Sequence, residues 1–282
     1  MWKMVLGKGH GLWQQGELRF LTREPMGSAL DAVVPAEIME PGPPVGVLFS
    51  DGKGKEMFRV TQVSRLPVPP EGGEGTLDQA WGVWAQAVQD LEPKSGEIVV
   101  RGKKSGLSLA RVTVSDKGHR GERSDAAGPT IEMLAAEASY LSLVQALIVP
   151  DEVDVLKSML TDLSLVQRFD LVVTTGGTGV APRDVTPEAA LAVIDKRLPG
   201  FEQAMTAASL AKTPHGMISR AIAGTIGSTL VITLPGSPKA VAENLAAVLP
   251  AVSHTLAKLQ GDKADCAGLD PDMDPDMDPD LD

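Results

Sequence analysis

A chain of 282 residues, 43% of them hydrophobic, is long enough for two domains with a substantial core. Its one cysteine, Cys266, excludes an internal disulfide framework and fits a reducing compartment. Of the net charge of −11, seven units come from the aspartates at 270–282, and no basic cluster suggests a nucleic-acid surface. No apolar run has the length of a signal peptide or the ~20 residues of a membrane span, so a soluble cytoplasmic protein is expected.

Residues 1–105 read as a small β-rich domain. Val45–Phe49 and Met57–Val63, joined through Asp51–Lys55, carry the pattern of a β-hairpin. Thr76 with Gln79 reads as a capping box, and Leu77, Trp81, Trp84, Val88 and Leu91 then share a helical face, which predicts a helix. Prolines 41, 43, 44, 67, 69 and 70 punctuate the segment. A strand at Glu97–Arg101 is placed to pair with the strand at Leu107, while Lys94-Ser95-Gly96 and Gly102–Gly106 have the composition of a domain boundary.

From 106 to 262 strand and helix patterns alternate, which indicates an α/β fold: a mostly parallel sheet with helices on both faces. Leu107–Ser115, Leu143–Val149 and Leu171–Thr174 are strands. Helices follow Gly128-Pro129, with Ile131, Leu134, Ala135 and Ala138 in register, and Asp151, with Val153, Leu156, Leu160 and Leu163. A helix is expected over Thr186–Arg197, with Thr186 as N-cap and Pro187 in the first turn. Met217–Ala223 is expected to pair with Thr229–Leu234, and a last helix starts at Ser237-Pro238. Residues 263–282 end in Asp-Pro-Asp-Met repeats, whose prolines and like charges predict a disordered acidic tail.

The most telling run is Thr174-Thr-Gly-Gly-Thr-Gly179, then Pro182-Arg-Asp-Val-Thr-Pro-Glu-Ala189. Three glycines in four positions after a buried strand let backbone N–H groups close on an anion. The carboxyl edge of an α/β sheet is where a phosphate-bearing ligand sits. The loop is neither a Walker motif nor a dinucleotide fingerprint. Asp151 and Asp184, 33 positions apart, both follow strand ends, so a parallel sheet brings them to one edge. Each has a competing structural role, Asp151 as an N-cap and Asp184 as a carboxylate at a helix start. Ser237 is likewise an N-cap candidate, and Arg183 has the fork geometry to take a phosphate. Histidines 10, 119, 215 and 254 have no metal-ligand spacing.

These motifs resemble those of the molybdopterin adenylyltransferase family, the molybdenum-cofactor biosynthesis domain related to the G domain of gephyrin. Val114-Ser-Asp-Lys-Gly118, Gly121-Glu-Arg-Ser-Asp125, Gly128-Pro129 and Pro150-Asp-Glu152 match in order. So do Leu198-Pro-Gly-Phe-Glu202, Ile218-Ser-Arg220 and Leu234-Pro-Gly-Ser-Pro-Lys239, so the resemblance covers about 107–260. It implies Mg²⁺- and ATP-dependent adenylylation of molybdopterin, with Asp151 and Asp184 as catalytic, metal-holding carboxylates. It places Ser115, Asp116, Gly176, Gly177, Thr178, Gly179, Ser219, Pro235, Gly236 and Ser237 around the two substrates. It also implies a homotrimer and other molybdenum-cofactor enzymes as partners. The alternative it leaves open is a non-catalytic molybdopterin-binding or scaffold protein. Arg59–Val63 and Gly96–Val100 resemble the end of a MOSC domain, but residues 1–265 hold no cysteine for sulfur transfer, which implies an accessory role.

Overall fold

The computed structural model describes residues 2–6, 13–22, 33–37, 43–68, 78–91 and 98–262. The expected acidic tail at 263–282 lies outside them. Their strands form two sheets.

The first sheet contains β1 (Trp2–Leu6), β2 (Leu18–Thr22), β3 (Val33–Glu37), β4 (Val47–Ser50), β5 (Glu56–Val68), β6 (Asp78–Ala87) and β7 (Ile98–Lys104). Its order is β2-β6-β5-β4-β7-β1-β3. The hairpin between β4 and β5 forms as expected. Its turn is fastened by Asp51, whose Oδ1 accepts the N–H groups of Lys53 (2.8 Å) and Lys55 (2.9 Å). Phe58 stacks between Phe49 (5.0 Å) and Trp13 (5.4 Å).

The helix expected over 76–91 is instead the strand β6, antiparallel to β5 and β2, with Thr76 and Leu77 outside the described residues. Val83, Ala85 and Ala87 are buried while Trp84 and Gln86 are exposed, a period of two. Trp84 packs across the strands on Phe20 at 5.2 Å. The strand at Glu97–Arg101 is also re-assigned: β7 pairs with β4 and β1 and not with the strand at Leu107.

The second sheet carries β8 (Leu107–Val114), β9 (Leu141–Val149), β10 (Leu171–Thr175), β11 (Lys196–Arg197), β12 (Ala223–Ile226) and β13 (Thr229–Leu234). The order is β11-β12-β13-β10-β8-β9, parallel through β13-β10-β8-β9 and antiparallel at β11 and β12. The helices are α1 (Asp116–His119), α2 (Gly128–Ala138), α3 (Val153–Thr161), α4 (Thr186–Leu191), α5 (Pro199–Leu210) and α6 (Pro238–Leu259). One sheet face, with Leu109, Leu171, Val173, Leu230 and Ile232, packs on Ile131 of α2, Met205 of α5 and Val241 and Leu245 of α6. The opposite face, with Ala110, Val112, Val172 and Val231, packs on Leu156 and Leu160 of α3 and Ala189 and Ala190 of α4. That second core runs on without a break into Val45, Val47, Phe49 and Phe58 of the first sheet.

Three expectations change in detail. Helix α4 stops at Leu191, because the chain then turns to the sheet edge, where the Asp195 N–H donates to the Thr225 carbonyl at 2.8 Å. Pro199–Leu210 is a further helix, which the sequence reading omits. Pro214–Ile218 is a 3₁₀ turn capped by Thr213, so only Ala223–Ile226 pairs with β13, across a tight turn at Gly227, where φ is +56°.

Candidate functional site

The parallel register places the carboxyl ends of β8, β9, β10 and β13 on one edge. Ser115 and Asp116 leave β8, Asp151 leaves β9, the glycine loop leaves β10, and Pro235-Gly236-Ser237 leaves β13. Two backbone bonds tie these exits together: the Ser115 N–H donates to the Val149 carbonyl (2.8 Å) and the Gly176 N–H to the Leu234 carbonyl (3.0 Å).

Glycine is required where the loop begins. Gly176 has φ +102°, and a Cβ there would lie 2.4 Å from the Val114 carbonyl oxygen. Gly177 has φ +63°, and its Cβ would meet Thr186 Oγ1 at 2.4 Å and Asp151 Oδ1 at 3.3 Å. The expected anion cradle is corrected at one point, since the Gly176 N–H is already spent on the sheet. Among the described residues no acceptor takes the N–H groups of Gly177, Thr178 or Gly179. The Thr178 side chain is buried, and its carbonyl accepts the Arg220 N–H at 2.9 Å. Thr186 is not the N-cap; Val185 occupies that place, and the Thr186 hydroxyl donates to the Gly176 carbonyl at 2.9 Å, bracing the loop from behind.

Asp116 and Asp151 are locked reciprocally. The Asp116 N–H donates to Asp151 Oδ2 (2.8 Å) and the Asp151 N–H to Asp116 Oδ1 (3.1 Å). Arg183 reaches across from the glycine loop and holds Asp116 bidentately, Nε to Oδ2 at 3.0 Å and Nη2 to Oδ1 at 2.7 Å. This guanidinium, with the Asp151 N–H, holds the Asp116 carboxyl below its usual range. Burial pushes the Asp151 carboxyl up, and the like charges of Asp116 and Asp184 add to this, against the bond from the Asp116 N–H. Asp184 Oδ2 accepts the Ala181 N–H at 2.8 Å. The capping role for Asp151 does not materialise, since Glu152 occupies the N-cap of α3. Ser237 does cap α6, accepting the Ala240 N–H at 3.1 Å, and Ser115 caps α1 through the Gly118 N–H at the same distance.

A cavity of about 290 Å³ opens at this edge, with Thr113, Ser115, Arg123, Asp151, Gly177 and Gly236 in its walls. Gly176 also lines it, whereas Asp116, Thr178, Gly179, Asp184, Pro235 and Ser237 are not among its lining residues. A Cβ on Gly179 would come within 2.7 Å of Asp184 Oδ2, so that carboxylate packs directly against Gly179. Ser219 belongs to a second cavity of about 550 Å³ with Glu188, Leu191, Gln203, Thr206 and Arg220. Arg220 belongs to the matched Ile218-Ser-Arg220 run and Arg183 is a phosphate-fork candidate, but neither the bonds of Arg220 to the Gly179 and Asp184 carbonyls nor the pairing of Arg183 with Asp116 is expected from sequence. Both arginines stand next to expected site residues, but only the folded loop shows their partners.

The family described as "Probable molybdopterin binding domain" matches residues 110–254. Gephyrin of Dictyostelium discoideum is 42% identical over 179 residues, which are 60% of this chain and 24% of that protein. The chain therefore spans about a quarter of that relative. A molybdopterin adenylyltransferase of Helicobacter pylori is 39% identical over 157 residues, 55% of this chain and 89% of that protein. Among solved structures, the molybdopterin biosynthesis enzyme MoaB of Thermus thermophilus superposes with a TM-score of 0.51 at 41% identity, covering 55% of this chain and 98% of the other. A match over half the chain, centred on the sheet edge described above, makes this protein a member of the molybdopterin-binding domain family of molybdenum-cofactor biosynthesis.

Proposed function

We propose that the chain is a molybdopterin adenylyltransferase of molybdenum-cofactor biosynthesis. A terminal phosphate oxygen of molybdopterin attacks the α-phosphorus of ATP. A new P–O bond forms, the α–β bridge bond breaks, and pyrophosphate leaves with the electron pair. Little covalent work falls to the protein in such a transfer; alignment and charge neutralisation dominate.

The observation that carries this reading is the glycine loop with two carboxylates around it. Gly177, Thr178 and Gly179 offer N–H groups that have no acceptor among the described residues, and Asp151 Oδ1 stands at the loop's edge. In this reading those N–H groups hold anionic oxygens, and Ser115, with its hydroxyl proton left over from capping, orients a phosphate. Gly236 completes the wall, and Asp116 sets the Asp151 carboxylate in place. The donor set suits Mg²⁺: each of Asp151 and Asp184 commits one oxygen to a backbone N–H and keeps the other. Two carboxylates with water match that ion's demand for oxygen ligands, and it would supply neutralising charge to the phosphates. A homotrimer working in the cytoplasm belongs to the same reading and rests on the resemblance; sedimentation at micromolar concentration tests the assembly.

Incubation of the purified protein with molybdopterin, Mg-ATP and pyrophosphatase tests the activity. Adenylylated pterin, identified by mass, is the expected product. Binding of molybdopterin without that product would assign the chain to a non-catalytic or scaffold role.

A further inference from the structure

The loop from Gly179 to Asp184 carries one of the two carboxylates, yet burial does not hold it down. Val180 is 66% exposed, and Ala181, Pro182 and Arg183 are exposed as well. The loop has some order of its own, since the Asp184 N–H donates to the Ala181 carbonyl at 2.9 Å. An exposed loop of this size, with so little apolar packing, opens at low free-energy cost unless polar tethers close it.

Arg183, within the loop, is tied to Asp116, and Arg220, which enters from the segment after the 3₁₀ turn, supplies the tethers at the loop's two ends. The Arg220 Nε donates to the Gly179 carbonyl (2.7 Å) and its Nη2 to the Asp184 carbonyl (2.7 Å). Its Nη1 meets the Glu188 carboxylate at the start of α4, and its own N–H holds the Thr178 carbonyl at 2.9 Å. One guanidinium therefore joins both ends of the loop and anchors them to a helix. The same closure sets Asp184 Oδ2 against the bare face of Gly179. The planar fork of arginine is needed here, because an ammonium is a point charge and does not span two separated carbonyls in fixed directions.

We infer that Arg220 is a positioning residue for the reaction: it closes the 179–184 loop and so sets the Asp184 carboxylate beside the glycine cradle, without touching substrate. This inference rests on the adenylyltransferase reading for its kinetic consequence, and on geometry alone for loop closure. Displacing a reacting group by about 1 Å costs on the order of 10²-fold in rate, with ground-state binding little affected.

The experiment uses the full chain with R220Q and R220K. Two measurements are made: kcat with molybdopterin Kd, and amide hydrogen exchange of the peptide containing residues 179–185. R220Q is expected to lose on the order of 10²-fold in kcat with Kd within about threefold of wild type. Its loop amides are expected to exchange at least about tenfold faster, while those of α5 do not change. R220K is expected to fall between the two, and it carries the same test if R220Q does not fold. Wild-type kcat in a folded variant, or unchanged loop exchange, would overturn the inference. So would a parallel loss of kcat, Kd and α5 protection, which marks a general structural role. If wild-type protein makes no adenylylated pterin, the functional reading falls, and hydrogen exchange still decides whether Arg220 closes the loop.

Discussion

Gln167 pairs with Val63 as one strand pairs with another. The carboxamide Nε2 donates to the Val63 carbonyl at 2.9 Å, and its Oε1 accepts the Val63 N–H at 2.8 Å. The main chain joins in, since the Gln167 carbonyl accepts the Val45 N–H at 3.1 Å. The contact falls beside the irregularity in β5 between Val60 and Gln62, where the register with β6 shifts. A side chain from the segment leading into β10 thus satisfies buried backbone groups of the first sheet.

Replacing Gln167 with leucine keeps most of the volume and removes both bonds to Val63, together with the 3.3 Å bond from Nε2 to Asp162 Oδ2. Two backbone groups of Val63 are then left buried without partners. The expected loss is about 1–3 kcal/mol, the desolvation cost of such orphans. Urea unfolding of Q167L against wild type measures it; a difference under about 0.5 kcal/mol would show that water replaces the amide.

Gln167 also bears on a truncation to residues 104–262. The core that involves α2, α5 and α6 lies wholly within that fragment, so it is expected to fold. Removing the first sheet uncovers the other core, including Leu163 and Phe169, and leaves Gln167 without Val63. The fragment is therefore expected to melt well below the full chain and yet to keep most adenylyltransferase activity, because the site residues all lie in it. Activity and thermal melting of both proteins check this. A folded fragment that binds molybdopterin but fails to adenylylate it would place the first sheet in catalysis.

The second sheet was legible because parallel strands buried on both faces read as apolar runs, as Leu171–Thr175 does, all five residues buried. The glycine loop leaves a mark in sequence because Gly176 and Gly177 take positive φ, with the Val114 carbonyl and the Thr186 hydroxyl standing where a Cβ would be. Strand β6 was not legible. Leu77, Trp81, Trp84, Val88 and Leu91 fit a helical stripe by chance of spacing, and only its partners β5 and β2 make 78–87 extended. The end of α4 was set by pairing with β12, a long-range contact with no local stop signal. The bonds of Gln167, Arg183 and Arg220 join residues tens of positions apart, so no local pattern reports them.

Asp151 and Asp184 should separate chemistry from folding. If each supports charge in the transition state, D151A or D184A is expected to cost activity by roughly 10²-fold or more. Molybdopterin binding should change far less. Asp151 also holds the Asp116 N–H, and Asp184 the Ala181 N–H, so each alanine variant also loses one backbone bond. Thermal melting alongside kinetics sorts the two effects; activity that falls only in proportion to the folded fraction would reduce both carboxylates to structural roles.

Glu188 gives a pH test of the loop anchor. The side-chain bond from Arg220 holds its carboxyl below the ordinary value of 4.5, against a small opposing effect of burial. A depressed carboxylate pKa means that the folded state binds the proton less tightly than the unfolded state. Its stabilisation is complete above the unfolded value, declines as pH falls through the folded value, and is absent below both. The group is largely exposed, so the effect is modest and screened by salt. E188Q, which keeps the shape without the charge, is expected to be less stable than wild type at neutral pH. The two should converge as pH is lowered through the range just below 4.5. Denaturant unfolding of both proteins across that range reads the difference directly, and a gap that stays constant with pH would show that the Glu188 charge contributes nothing to holding Arg220.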